Sequence, residues 1–390
     1  MRVLVAPDKF KGSLTAGDVA EHLSIGLTSG GAHTTALPLA DGGDGSVDAA
    51  IAAGFTPNTI TVAGATGTPQ TATIAHRGDT AVVEVANTCG LGTLQLGRRS
   101  PFEATSLGMG QAVKSALRHQ PRRLVLALGG SASTDGGTGL LSALGYIFRN
   151  AEGRQVRGCG RRLTEIHTVD TSQAASLTGL DLVIAGDVTN PLTGPTGTAA
   201  VYGPQKGADP DAVHYLDEGL NTLVAAFARS GYTQARELAD TAGAGSAGGL
   251  GFAALLLGAR MASGAEYFLD LLDFEQHLAG TDLVVTGEGS IDEQTEHGKL
   301  LSVLARRAQP VPVIVAAGRN TLPRSRWHTA GFSDIRSLTD YTGRDTSRDP
   351  ELTAQLLVRI GRDIALDNAA DTPRTPTASS VPAAAGRAYR

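Results

Sequence analysis

The sequence predicts an α/β fold built on a mostly parallel sheet, with a second α/β unit inserted into the first. Three observations carry this expectation. The chain opens as strand, loop, helix, strand, loop, helix over residues 2–53, the pattern of parallel-sheet folds. Short apolar runs at 282–286 and 311–316 read as buried strands of the same kind. Between these regions lies a stretch of different texture, which begins with three short β-rich segments separated by glycine turns. The simplest topology joins 1–58 and 282–368 in one Rossmann/flavodoxin-like domain and places 59–281 in an inserted α/β domain.

Taken in order, residues 2–6 read as a buried strand and 7–13 as a loop. Thr15 caps a helix over 16–27, with Asp18 in the capping-box position. A strand at 34–39 runs into Asp41-Gly42-Gly43-Asp44-Gly45, and a helix follows at 46–53. Ligands of such sheets bind beyond the carboxyl ends of the strands, where both loops lie. Segments 59–62, 71–75 and 81–85 read as an antiparallel meander. A helix at 106–118, a strand at 123–128 and a helix starting at 139–144 come next. They are followed by a strand at 180–185, a helix at 213–230 and an apolar helix at 248–261. Residues 371–390, rich in Pro, Ala, Ser and Thr without periodicity, read as a disordered tail.

Composition narrows the function. The 390 residues include 50 glycines, well above the usual share of about 7%, and many sit in four loops rather than in linkers. Aromatics make up 4%, too few for a base-stacking platform, and a net charge of −5 disfavours a nucleic-acid partner. Cys89 and Cys159 cannot make a disulfide framework and read as small buried residues. The N-terminal MRVLVAPDKFKG, cut by Pro7 and Asp8, does not read as a signal peptide. No apolar run approaches the roughly 20 residues that span a bilayer. A cytoplasmic enzyme, monomer or homodimer, with small-molecule substrates is the expectation.

The glycine-rich segments at 40–46, 129–139, 243–251 and 286–292 all carry acidic or hydroxyl residues. Glycine lets backbone N–H groups approach a ligand, and aspartates in such loops suit a hard cation. Together they point to a site handling a phosphate and a metal ion. Asp8, Lys9 and Lys11 leave the first strand together; lysine serves phosphate as a mobile point charge. Asp41 and Asp44 could share Mg²⁺, which takes one or two carboxylates plus substrate phosphates; the plain alternative is a turn with Asp44 capping the next helix. Ser131, Ser133 and Asp135 lie in a loop able to wrap an anion, but it lacks the GKS or GKT ending of a P-loop. Asp187 and Asn190 follow a buried strand, and Lys206 sits in an otherwise uncharged stretch, a candidate anion contact.

Residues 243–248 formally fit GxGxxG, with Gly245 and Ser246 inside. A dinucleotide fingerprint needs a strand directly before it, and 235–241 looks helical. Glu288, between two glycines, and Asp292 follow the strand at 282–286, with His297 and Lys299 just beyond.

The segments APDKFKGSLTA, PLADGGDGSVDA, GGSASTDGGTG, DVTNPLTG, GPQKGA, GAGSAGGLG and TGEGSIDEQT-x-x-GK, in this order, resemble those of the bacterial type-1 glycerate kinase family. The resemblance covers residue 1 to about 365 and leaves out only the tail. It implies phosphorylation of D-glycerate by ATP with Mg²⁺, in a two-domain α/β fold with the active site in the cleft between the domains. By this resemblance Asp8, Lys9, Lys11, Asp41, Asp44, Asp135, Asp187, Asn190, Lys206, Glu288, Asp292 and Lys299 fall in the family's motifs. Ser290 departs from it, because the family usually has arginine there. The expected roles follow. Asp41, Asp44 and Asp187 hold the metal ion, and Lys9 or Lys11 with Lys206 neutralise the transferred group. Asp187 or Asp41 accepts the hydroxyl proton. Loops 129–139 and 243–251 offer amides to phosphate or carboxylate. Two other classes remain open: an NAD-linked dehydrogenase of small hydroxy acids, and a metabolite sensor without turnover.

Overall fold

The computed structural model describes residues 1–94, 99–293 and 300–370. His297, Lys299 and the 371–390 tail lie outside the described residues. The strands are β1 (Arg2–Val5), β2 (His33–Ala36), β3 (Thr56–Ala63), β4 (Pro69–Arg77), β5 (Thr80–Glu84), β6 (Arg123–Ala127), β7 (Ile147–Arg149), β8 (Thr168–Asp170), β9 (Asp181–Ala185), β10 (Arg260–Ala262), β11 (Leu283–Ile291), β12 (Val313–Asn320) and β13 (Asp334–Ser337).

The first and last strands meet in one five-stranded sheet, ordered β13-β12-β11-β1-β2 and parallel throughout. Its central strands are apolar because helices cover both faces. From β1 the chain crosses to β2 on one side; from β11 it crosses to β12 on the other. The loops after β1 and β11 therefore diverge at a topological switch point, where such sheets form a crevice beyond their carboxyl ends.

The middle of the chain forms a six-stranded sheet ordered β10-β9-β6-β5-β4-β3. β3, β4 and β5 are the antiparallel meander, and β5, β6, β9 and β10 run parallel. The boundary placed at residue 58 falls inside β3, so the change of sheet comes a few residues earlier. One buried apolar cluster joins the sheets: it takes Leu4, Val284 and Val315 from the first and Val82, Val125 and Ala185 from the second. On the first sheet's other face, the helices Ala16–Ser29 and Pro350–Ala370 pack together over Val3, Val5 and Val285. The Thr15–Asp18 capping box is present.

Two expectations are corrected. The apolar helix at 248–261 is shorter, Leu250–Leu256. Gly258, at φ +86°, breaks it, and β10 follows as an edge strand beside β9. The 286–292 segment is not a loop for most of its length: β11 continues to Ile291, with Glu288 opposite Ala317 and Ser290 opposite Arg319. Glycine at 287 and 289 does not end the strand, because β12 supplies a partner along its length.

Candidate active site

The carboxyl ends of both sheets meet at residues 41–45. Gly42 has φ +85°, and a Cβ there would lie 2.1 Å from the Ala185 carbonyl oxygen at the end of β9. Gly129, after β6, donates its N–H to the Gly42 carbonyl (3.3 Å). Only glycine permits this conformation and approach together. Gly42→Ala is therefore expected to cost about 2–4 kcal/mol, from left-handed strain plus a backbone clash; urea denaturation measures it.

Around this junction the structure gathers the first group of expected residues. Asp8 is buried, and its Oδ1 accepts from the Lys9 N–H (2.7 Å) and, at 3.5 Å, from Lys9 Nζ. Burial, reinforced by Asp41 and opposed by Lys9, pushes the Asp8 pKa up to about 6. Burial works against the Lys9 ammonium, but Asp8, Asp41 and Asp44 outweigh it and hold its pKa above the ordinary lysine value. Lys9 is thus a cation set among three carboxylates. A cavity of about 400 Å³ opens beside it, lined in part by Lys11, Leu14, Pro38, Asp44 and Asp48; Lys11 is exposed at its rim. On the switch-point side, the Asp8 N–H donates to the Gly287 carbonyl (2.8 Å). This places the loop after β1 against the strand carrying Glu288, with Asp292 just past the strand's end.

Asp187 joins this group from the second sheet. It is exposed, and its Oδ1 accepts from the Gly264 N–H (3.1 Å). Gly264 in turn packs on Asp41: a Cβ there would lie 1.8 Å from the Asp41 carbonyl oxygen. Among the described residues no three His, Cys, Asp or Glu side chains are grouped to hold a metal ion, so Asp41, Asp44 and Asp187 do not form a closed three-carboxylate cage. The hard oxygens present still fit Mg²⁺, which needs one or two carboxylates when substrate phosphates supply the rest.

The second group of expected residues turns inward. Asp135 is fully buried. Its carboxylate accepts from Ser106 N (2.8 Å) and Oγ (2.9 Å), Gly137 N (3.2 Å) and Gly139 N (3.2 Å). Burial pushes its pKa up against these donors. Its acceptors are filled from within the protein, so it shapes the loop and does not face a ligand. Lys206 is also buried; its Nζ donates to Ser131 Oγ (2.9 Å) and the Ser133 carbonyl (2.5 Å). Burial lowers its pKa to about 8, opposed by Asp135 and Cys89. It braces the 129–139 loop instead of standing open as an anion contact. Ser133 is buried, and its Oγ has no hydrogen-bond partner among the described residues.

Asn190 is a staple: Nδ2 donates to the Thr196 carbonyl (2.8 Å), and Tyr202 OH donates to its Oδ1 (2.7 Å). The 243–251 loop packs closely rather than cradling an anion. Gly245 N donates to the Asn190 carbonyl (3.0 Å), Ser246 N to the Gly243 carbonyl (3.0 Å), and Gly136 N to the Gly248 carbonyl (2.9 Å). A Cβ on Gly248 would lie 1.9 Å from the Ser133 carbonyl oxygen. The loops at 129–139, 187–197 and 243–251 are thus one packed unit behind the junction. Cys89 and Cys159 are free and buried, and burial pushes the Cys89 thiol up to about 12, an inert thiol.

Sequence reasoning missed Glu84, at the end of β5. It is 2% exposed, and its carboxylate accepts from Gly45 N (3.1 Å) and Val47 N (2.8 Å). Burial, with Asp44 and Asp48 adding to it, pushes its pKa up to about 7 against those two bonds. An acid that titrates higher folded than unfolded holds its proton longer in the native state, so its contribution to stability is full below about pH 4.5 and is lost as the pH rises through about 7. Glu84→Gln removes this titration, so the stability difference between variant and wild type should shift in the variant's favour as the pH rises from 4.5 to 8, by at most about 3 kcal/mol, on top of a pH-independent cost of losing one cap acceptor. Denaturant midpoints at the two pH values measure it.

A parallel sheet with a topological switch point, acids and a lysine beyond its strand ends, and glycine-packed loops from a second sheet define an α/β protein with both signs of charge gathered at one junction. The sequence model of the Glycerate kinase family matches residues 3–366. The chain is 37% identical to the glycerate kinase of Bacillus subtilis (strain 168) over 377 residues, 94% of this chain and 97% of that one. It is 34% identical to the glycerate 2-kinase of Escherichia coli (strain K12), over 88% of this chain and 92% of that protein. A crystal structure described as "putative glycerate kinase 2 from Salmonella typhimurium LT2" superposes with a TM-score of 0.79 at 34% identity, covering 95% of this chain and 98% of that one. The chain belongs to the glycerate kinase family. It is accordingly a kinase, a phosphotransferase with an alcohol acceptor. Among the described residues no helix is long and apolar enough to cross a membrane.

Proposed function

We propose that this enzyme transfers the γ-phosphate of ATP to a hydroxyl of D-glycerate, with 2-phosphoglycerate as the product, in the cleft between two α/β domains. The observation that carries this reading is the convergence of Asp8, Lys9, Asp41 and Asp44 with Asp187 where the two sheets meet. Phosphoryl transfer asks mainly for positioning and charge neutralisation, and this junction supplies both signs of charge at close quarters.

Asp44 and Asp187, exposed on either side of the junction, would hold Mg²⁺ together with the nucleotide phosphates, with Asp41 as the third candidate. When bound, the ion neutralises phosphate charge. Lys9, kept protonated by its three acidic neighbours, balances charge on the transferred group, and Lys11 reaches it from the cavity rim. Asp187 or Asp41 takes the proton of the attacking hydroxyl. Glu288 and Asp292, beyond the switch point, border the acceptor. The buried Lys206 and Asp135 keep the 129–139 loop in shape behind these groups.

The test is release of ADP from Mg-ATP, measured with and without D-glycerate. The reading expects ADP release that depends on D-glycerate. Reduction of a nicotinamide cofactor with D-glycerate, in the absence of ADP release, would replace this reading with the dehydrogenase.

A further inference from the structure

The helix Ser46–Ala52 has Gly45 at its N-cap and no capping side chain of its own. Asp44, the neighbour that could supply one, is exposed and does not cap. The helix-end N–H groups are instead taken by Glu84, which reaches over from β5 of the other sheet to Gly45 N and Val47 N. Its two oxygens each accept one bond, and the side chain is almost wholly removed from solvent. The charges that bear on Glu84 most are the carboxylates of Asp44 and Asp48. A buried carboxylate beside other acids is unfavourable for stability alone, and an uncharged cap would serve a helix end. The arrangement has a different effect: because a residue 39 positions away caps the helix, Asp44 keeps both oxygens for the junction.

We propose that Glu84 is a positioning residue for the loop carrying Asp41 and Asp44. It fixes that loop to the second sheet and leaves the Asp44 carboxylate turned toward Lys9. The role rests on the kinase reading given above, because the groups it positions are those assigned to phosphoryl transfer.

The test is Glu84→Gln, which keeps the shape but replaces one acceptor by a donor. Hydrogen exchange at the Gly45 and Val47 amides should quicken at least tenfold. At pH 8 kcat should fall about tenfold, with the KM for D-glycerate within twofold of wild type and the melting temperature within a few degrees. Unchanged exchange at those amides overturns the proposal. So does faster exchange with unchanged kcat, which would leave Glu84 a structural staple. If Glu84→Gln does not fold, Gly45→Ala carries the same readouts. Gly45 lies at φ +91° with no atom of the described residues within 4 Å of an added Cβ, so alanine strains the donor without a clash among them. Wild-type enzyme that does not turn over D-glycerate removes the kinase reading and with it the positioning role, and the exchange result then tests only the contact between Glu84 and the loop.

Discussion

Asparagine in place of the aspartate proposed as proton acceptor, Asp187 or Asp41, is expected to lower kcat by about 10²–10⁴-fold, the usual worth of a general base, and to leave the fold intact. The two positions make this a sharp comparison. Asp187 is exposed, with one oxygen bonded to the Gly264 N–H. An amide oxygen can keep that bond, so Asp187→Asn removes charge and basicity but not the contact. Asp41 uses Oδ1 for the Gly43 N–H (3.0 Å), and asparagine can keep that bond as well. Steady-state kinetics of both variants, with circular dichroism to confirm folding, separate the base from its neighbour. If both variants retain kcat within tenfold of wild type, the assignment of the base to this pair is wrong.

The largest effect on stability is expected at Asp135, not at the junction. Asp135→Ala strips the acceptor from the Ser106 N–H and Oγ–H and from the Gly137 and Gly139 N–H groups, all in a region closed to water. It also removes the counter-charge that helps keep the buried Lys206 protonated. Leaving buried donors and a buried cation uncompensated costs about 3–5 kcal/mol. Denaturant unfolding should register a loss of that size; a variant as stable as wild type would mean that water or neighbouring groups replace the carboxylate.

The parts of this fold that were legible in the sequence are those with local causes. The opening strand and helix units, the Thr15–Asp18 box and the meander ending at β5 follow from periodicity, capping chemistry and turn residues. β10 was hidden because it is only three residues long and follows closely on the apolar helix, with Gly258 and Arg260 breaking an otherwise apolar run. The extension of β11 was hidden because glycines usually mark loops, and only the facing β12 explains a strand there. Among the site residues, Asp8, Lys9, Asp41, Asp44 and Asp187 are brought together as strand-end positions suggested. Asp135 and Lys206 could not be told from ligand-facing groups by sequence, since Ser106, which closes over the Asp135 carboxylate, lies 29 residues away and the Ser131 partner of Lys206 lies 75 residues away. Glu84 gave one signal, a lone acid closing an otherwise apolar strand, but its meaning depends on a helix in the other sheet.

The most direct test of the central claim is phosphorus NMR of the reaction of Mg-ATP with D-glycerate. The account predicts consumption of the γ-phosphate signal and one new phosphomonoester, coupled to the C2 proton of glycerate as 2-phosphoglycerate requires. A product phosphorylated at C3 would contradict the proposed regiochemistry, and the absence of any phosphoglycerate would contradict the kinase reading itself.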